Sequence, residues 1–176
     1  MRKNHRLRDL TRMSLTVALL CICAWIALPG AVPFTLQSFA VFFALAYLGW
    51  RRALGTYAAY LALGAVGLPV FSGFQGGAAV LVGATGGYLW GFLLGIPLAG
   101  LLLGRAEKPS LGRQIAASAV ALAVCYGFGT VWYWLLFLPG SGLAGVWSAA
   151  LLCVLPYLLP DAAKLALAIG VAKRLS

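Results

Sequence analysis

The stretch ALGTYAAYLALGAVGLPVFSGFQGGAAVLVGATGGYLWGFLLGIPLAGLLLG, Ala53–Gly104, contains no Lys, Arg, Asp or Glu. A helix needs about 20 apolar residues to cross the hydrocarbon of a bilayer, so this run is long enough for two crossings. Two further runs, Met13–Trp50 and Gln114–Pro160, are equally free of charge. Over the whole chain 9% of residues are charged and 63% hydrophobic. A soluble domain carries roughly a quarter charged residues, and fewer than that cannot coat a water-facing surface. The class is an all-α membrane protein, and the length of 176 residues suits one compact bundle without a separate soluble domain.

Breakers divide the runs. A first span is expected over about Met13–Leu28, ended by Pro29-Gly30 and Pro33. A second covers about Ser38–Trp50 and a third about Ala53–Gly67. Both are short, so their connecting loops are expected to dip into the bundle. The glycine-rich segment Leu68–Gly83 leads to a fourth span, Gly86–Gly104, and a fifth follows over Gln114–Phe137. Pro139-Gly140-Ser141-Gly142 makes a turn. The remainder, Leu143–Leu175, is interrupted by Pro156 and Pro160 and reads either as one kinked span or as a half-helix followed by a span. Residues 1–12 form a basic cytoplasmic leader and 13–174 a single six-helix transmembrane domain. The leader and first span have the layout of a secretory signal, but the apolar part is at the long end for one.

Charge placement orients the bundle. Every Lys and Arg except Lys164 falls in the leader, in Arg51-Arg52, in the Arg105–Arg113 connection or in Lys173-Arg174. With six spans and the N-terminus inside, all four clusters lie on the cytoplasmic side and both termini are inside. The same placement disposes of nucleic acid as the reason for the net charge of +10: the cations cap apolar spans and serve as topology signals and contacts to the lipid bilayer. Cys21, Cys23, Cys125 and Cys153 lie in apolar segments and read as packing residues. With His5 the lone histidine, no metal site is expected.

Lys164 is the exception, three residues after Asp161 in the last span. At 1.5 Å per residue it lies roughly 13 Å above Lys173, near the middle of the hydrocarbon, and Asp161 lies roughly 18 Å above Lys173. Either charge would cost roughly 2.5–3.5 kcal/mol or more facing lipid, so both must face protein, each other or a wet cavity. A salt bridge is permitted by the i, i+3 spacing. Asp161 after Pro160 also suits the first turn of a helix, whereas a lysine there opposes the dipole. A ligand-binding role for the pair is the stronger reading.

The outer connections supply the other polar groups. Phe34, Thr35 and Gln37 lie in VPFTLQ, Phe74, Gln75, Gly76 and Gly77 in FQGG, and Thr85, Gly86, Gly87 and Tyr88 in TGGY. Irregular backbone at membrane depth needs protein or a cavity over it, and glycine allows a ligand close to the backbone. Six spans bring these segments and the start of the last helix to the outer face, where Phe34, Phe71, Phe74 and Tyr88 read equally as walls for a ring system and as core packing. The chain has no phosphate-binding P-loop, no Ser-His-Asp set and no carboxylate pair placed for acid–base work, so neither ATP hydrolysis nor another enzyme activity is expected of it.

These segments resemble those of the BioY family, the biotin-binding S components of energy-coupling-factor (ECF) transporters. Three stretches carry the resemblance, in the family's order: Val32-Pro33-Phe34-Thr35-Leu36-Gln37, GLPVFSGFQGGAAVLVGATGGYLWGF over Gly67–Phe92, and Leu159-Pro160-Asp161-Ala162-Ala163-Lys164. The resemblance implies a six-helix protein of the cytoplasmic membrane that takes biotin from outside as transported substrate, with no cofactor. It implies a membrane coupling subunit and two ATPase subunits as partners. Asp161 and Lys164 match the family's last-helix pair, and Gly86-Gly87-Tyr88 its Gly-Gly-Tyr motif. Ala84 departs from the family's usual proline. Ser14 and Ala18 have the small-x-x-x-small spacing by which S components contact the coupling subunit. Biotin offers two ureido N–H donors, a ureido carbonyl, an apolar thiophane ring and an anionic tail. Asp161 suits an N–H, and Lys164 suits either the ureido oxygen or the carboxylate. The rival readings are an S component for another vitamin and a membrane assembly protein without a ligand.

Overall fold

The computed structural model describes residues 2–28, 33–104 and 109–175, with side chains from Arg6 onward. The Pro29-Gly30 breaker, Val32 of the first motif, and Arg105, Glu107 and Lys108 of the most charged connection lie outside the described residues.

The described residues hold eight α-helices, a single 3-10 turn at Ser72–Phe74 and one pair of two-residue strands. Helix α1 (Arg2–Trp25) begins within the basic leader, so leader and first span are one continuous helix. Strand β1 (Ala27–Leu28) pairs antiparallel with β2 (Phe34–Thr35), in the register Ala27↔Thr35 and Leu28↔Phe34. Then come α2 (Gln37–Leu48), α3 (Trp50–Ala65), the short α4 (Ala78–Val82), α5 (Gly86–Leu103), α6 (Leu111–Phe137), α7 (Gly142–Cys153) and α8 (Leu155–Leu175). By length and composition α5, α6 and α8 are each able to cross a membrane.

The second and third expected spans are α2 and α3, and their connection does not dip into the bundle. Gly49 alone joins them, at φ 76° and ψ 158°, a backbone state that a side chain disfavours. Trp50 Nε1 then donates to the Gly104 carbonyl at 3.1 Å, tying this elbow to the end of α5. The ambiguous final segment resolves as the half-helix α7 followed by α8. Asp161 after Pro160 suits the first turn of a helix, but Pro160 does not open α8. The helix starts at Leu155, with Pro156 in the first turn where a missing N–H costs nothing, and it carries Pro160 internally.

Helix α2 is the hub. Its sequence is apolar on every side, and most of its residues are buried, including Gln37 and Ser38. Helix α5 meets α6 at backbone distance because its glycines leave room. A Cβ on Gly91 would lie 2.7 Å from Cα of Cys125, and one on Gly95 would lie 2.7 Å from the Ala121 carbonyl oxygen. In lipid, where apolar surfaces gain nothing from expelling water, such close small-residue contact is what holds helices together. The outward faces of α1, α6, α7 and α8 expose leucine, as at Leu15, Leu135, Leu143 and Leu159. Such faces suit hydrocarbon, and the chain is a multi-pass membrane protein.

Candidate ligand site

A cavity of about 100 Å³ opens where α2 and α5 begin, at the end of the bundle opposite the Gly49 elbow. Asp161 and Lys164 from α8 form its polar end and are only 4% and 6% exposed. The expected salt bridge is present: Lys164 Nζ lies 2.6 Å from Asp161 Oδ1. Lys164 Nζ also donates to the Thr35 carbonyl at 2.7 Å and to Ser38 Oγ at 3.2 Å. An ammonium has three hydrogens, so all of them have acceptors. The Phe34 ring lies 3.8 Å from the same nitrogen, a favourable cation–π placement.

The carboxylate is held as firmly. Ser38 Oγ donates to Asp161 Oδ1 at 2.7 Å, and the Tyr126 hydroxyl of α6 donates to Oδ2. Each carboxylate oxygen has two acceptor sites. Among the described residues, Oδ1 is filled by Ser38 and Lys164, and Oδ2 keeps one site open after Tyr126. The cluster joins α2, α6 and α8 around a pair that carries no net charge. It is poised to accept one N–H from a neutral polar group, and any new acceptor for Lys164 must displace an existing one.

Of the residues expected at the site, Phe34, Thr35, Gln37, Thr85, Tyr88, Asp161 and Lys164 line the cavity, as does Phe71. The Tyr88 hydroxyl is buried near Thr130 and Cys153 without a hydrogen bond of normal geometry. The structure does not bring Phe74, Gln75, Gly76, Gly77, Gly86 or Gly87 to this lining. Phe74 is 63% exposed and stacks on Trp25 at 5.0 Å, and Gln75 is exposed beside it. Gly76 backs onto the backbone of Gly67 and Leu68, and Gly77 donates to the Gly64 carbonyl at 2.7 Å. Gly86 and Gly87 pack against Leu81 and Trp132. Ser14 and Ala18 are both exposed on α1.

Sequence reasoning passed over Ser38 and Tyr126, the two hydroxyls that hold Asp161, and also Tyr157, Cys125 and Cys153 in the lining. Ser38 and Tyr126 are polar groups inside charge-free runs, which was the available signal. Their meeting with Asp161 across 123 and 35 residues was not.

An apolar multi-pass helical bundle with a small cavity walled by aromatic rings, and a buried neutral charge pair at its polar end, belongs to the class of membrane proteins that bind a small molecule within the bilayer. A family model, the BioY family, matches residues 1–176. The chain is 45% identical over 124 residues to "Biotin transporter BioY" of Thermotoga maritima, covering 70% of this chain and 72% of the relative. It is 37% identical over 169 residues to "Probable biotin transporter BioY" of Pyrococcus horikoshii, covering 96% of each. Among solved structures it matches the S-component for biotin from an ECF-type ABC transporter. That match has a TM-score of 0.84 at 25% identity and covers 99% of this chain and 94% of that one. The chain belongs to the BioY family.

Proposed function

We propose that this protein captures biotin for import across the cytoplasmic membrane, as the substrate-binding S component of an ECF transporter. The observation that carries the reading is the buried Asp161–Lys164 pair, facing a cavity with every Lys164 hydrogen used and one acceptor site left on Asp161 Oδ2. A pair whose charges cancel suits the neutral ureido ring better than the carboxylate tail, because an anion there would meet no uncompensated cation. The ureido N–H groups are matched to the open site on Asp161 Oδ2 and to the Gln37 amide. Phe34, Phe71 and Phe92 offer apolar walls for the thiophane ring. Phe34, Thr35, Gln37, Thr85, Tyr88, Asp161 and Lys164 are the proposed ligand residues.

The proposed topology has six spans, α1, α2, α3, α5, α6 and α8, with both termini inside. The basic clusters then all lie on the cytoplasmic side and the cavity on the outer one. Ser14 and Ala18, exposed on α1, are proposed to touch a membrane coupling subunit, with two ATPase subunits supplying the energy. The chain acts in transport and is not an enzyme.

Equilibrium titration of the purified protein with labelled biotin tests this reading, with riboflavin and thiamine as comparators. Binding of one biotin per chain at micromolar affinity or tighter is expected, with neither comparator competing. No biotin binding by folded protein, or tighter binding of another vitamin, would overturn it.

A further inference from the structure

Gln37, the first residue of α2, lines the cavity, and its amide is held from behind by Tyr57 of α3. Gln37 Nε2 donates to Tyr57 Oη at 3.3 Å, and Tyr57 Oη donates to the Leu89 carbonyl of α5 at 3.2 Å. A phenol has one hydrogen, and a carbonyl only accepts. With that hydrogen committed to Leu89, the Tyr57 oxygen faces Gln37 as an acceptor. The amide therefore turns its NH2 toward Tyr57 and its carbonyl oxygen away. Gln37 Oε1 has no protein partner among the described residues.

Tyr57 itself is 1% exposed and does not reach the cavity. Its ring is fixed between Tyr60 at 5.8 Å and Phe92 at 6.1 Å, so its hydroxyl has little freedom to move. Gln37 is thus held in one of its two amide orientations by a residue that no ligand touches.

We infer that Tyr57 is a positioning residue that makes Gln37 present an oxygen to the cavity, so that the site selects a ligand with an N–H at that point. The inference rests on the biotin reading and deepens it. A cyclic urea brings two N–H groups, and Asp161 has one acceptor site left. A second acceptor of fixed direction completes the match. Without Tyr57 the amide would be free to flip and offer its own N–H groups, which repel a urea N–H.

The test is a double-mutant cycle on the purified full chain, read by biotin titration. Tyr57→Phe keeps the ring and removes the hydroxyl, and is expected to weaken biotin binding roughly tenfold. Gln37→Met removes the amide. Because the two residues act as one unit, adding Tyr57→Phe to Gln37→Met is expected to weaken binding no further. Wild type is also expected to bind one of the two singly N-methylated ureido derivatives of biotin much more weakly than biotin, and Tyr57→Phe to narrow that ratio. Additive losses in the cycle, or an unchanged ratio, would overturn the inference while leaving biotin capture intact. A Tyr57→Phe chain that fails to fold would assign Tyr57 to stability alone and overturn it too. Failure of wild type to bind biotin would overturn both readings together.

Discussion

Asp9 and Arg52 meet at 2.7 Å at the basic end of the bundle, and Asp161 and Lys164 meet at 2.6 Å beside the cavity. Distance hardly separates the two pairs, but their surroundings do. The Arg52 and Asp9 side chains are 51% and 32% exposed, whereas those of Lys164 and Asp161 are 7% and 6% exposed. At the basic end, solvent and headgroups share the charges, and each partner is replaceable by water. Beside the cavity, Thr35, Ser38 and Tyr126 take the place of water. A pair of the first kind contributes about 0–1 kcal/mol. A pair of the second kind gains little net stability over apolar residues of the same shape, yet losing one member is costly. A pair buried on such terms points to a task other than holding the fold.

That contrast can be broken at either end. The largest effect is expected from Asp161→Ala, which strands the Lys164 ammonium in the bundle. Unfolding in mixed detergent micelles is expected to become easier by about 3–5 kcal/mol, with biotin binding lost. The smallest is expected from Arg52→Gln, which removes the exposed pair. It is expected to shift the same unfolding equilibrium by less than about 1 kcal/mol and leave biotin affinity unchanged. A large effect at Arg52 would give the basic end a structural role that its exposure does not suggest.

Much of this contrast was legible before any packing was known. Charge-free runs mark α2, α3, α5 and α6 to within a few residues, as at α5, expected over Gly86–Gly104 and found over Gly86–Leu103. Lys164 stood out because a lone cation inside an apolar helix has to be compensated, and the i, i+3 spacing named its partner. The start of α1 at Arg2 was missed because charge marks where hydrocarbon ends and does not end a helix. The glycines were legible as points of close approach, but sequence does not say what approaches. Gly86 and Gly87 are such points, and the neighbours that approach them in the structure are Leu81 and Trp132. Ser38 and Tyr126 were beyond reach for a related reason. Serine and tyrosine are ordinary in membrane helices, and only the packing of α2 and α6 against α8 turns them toward one carboxylate.

The most direct test replaces both charges at once, Asp161→Asn with Lys164→Met, so that neither is left unpaired. Stability in mixed micelles is then expected to stay close to wild type, while titration with labelled biotin is expected to show an affinity at least about tenfold weaker, the cost of losing the charge-assisted contact to Asp161 Oδ2. A folded double variant that binds biotin as tightly as wild type would contradict the account, because the buried pair would then be a piece of architecture and the ligand would be held elsewhere.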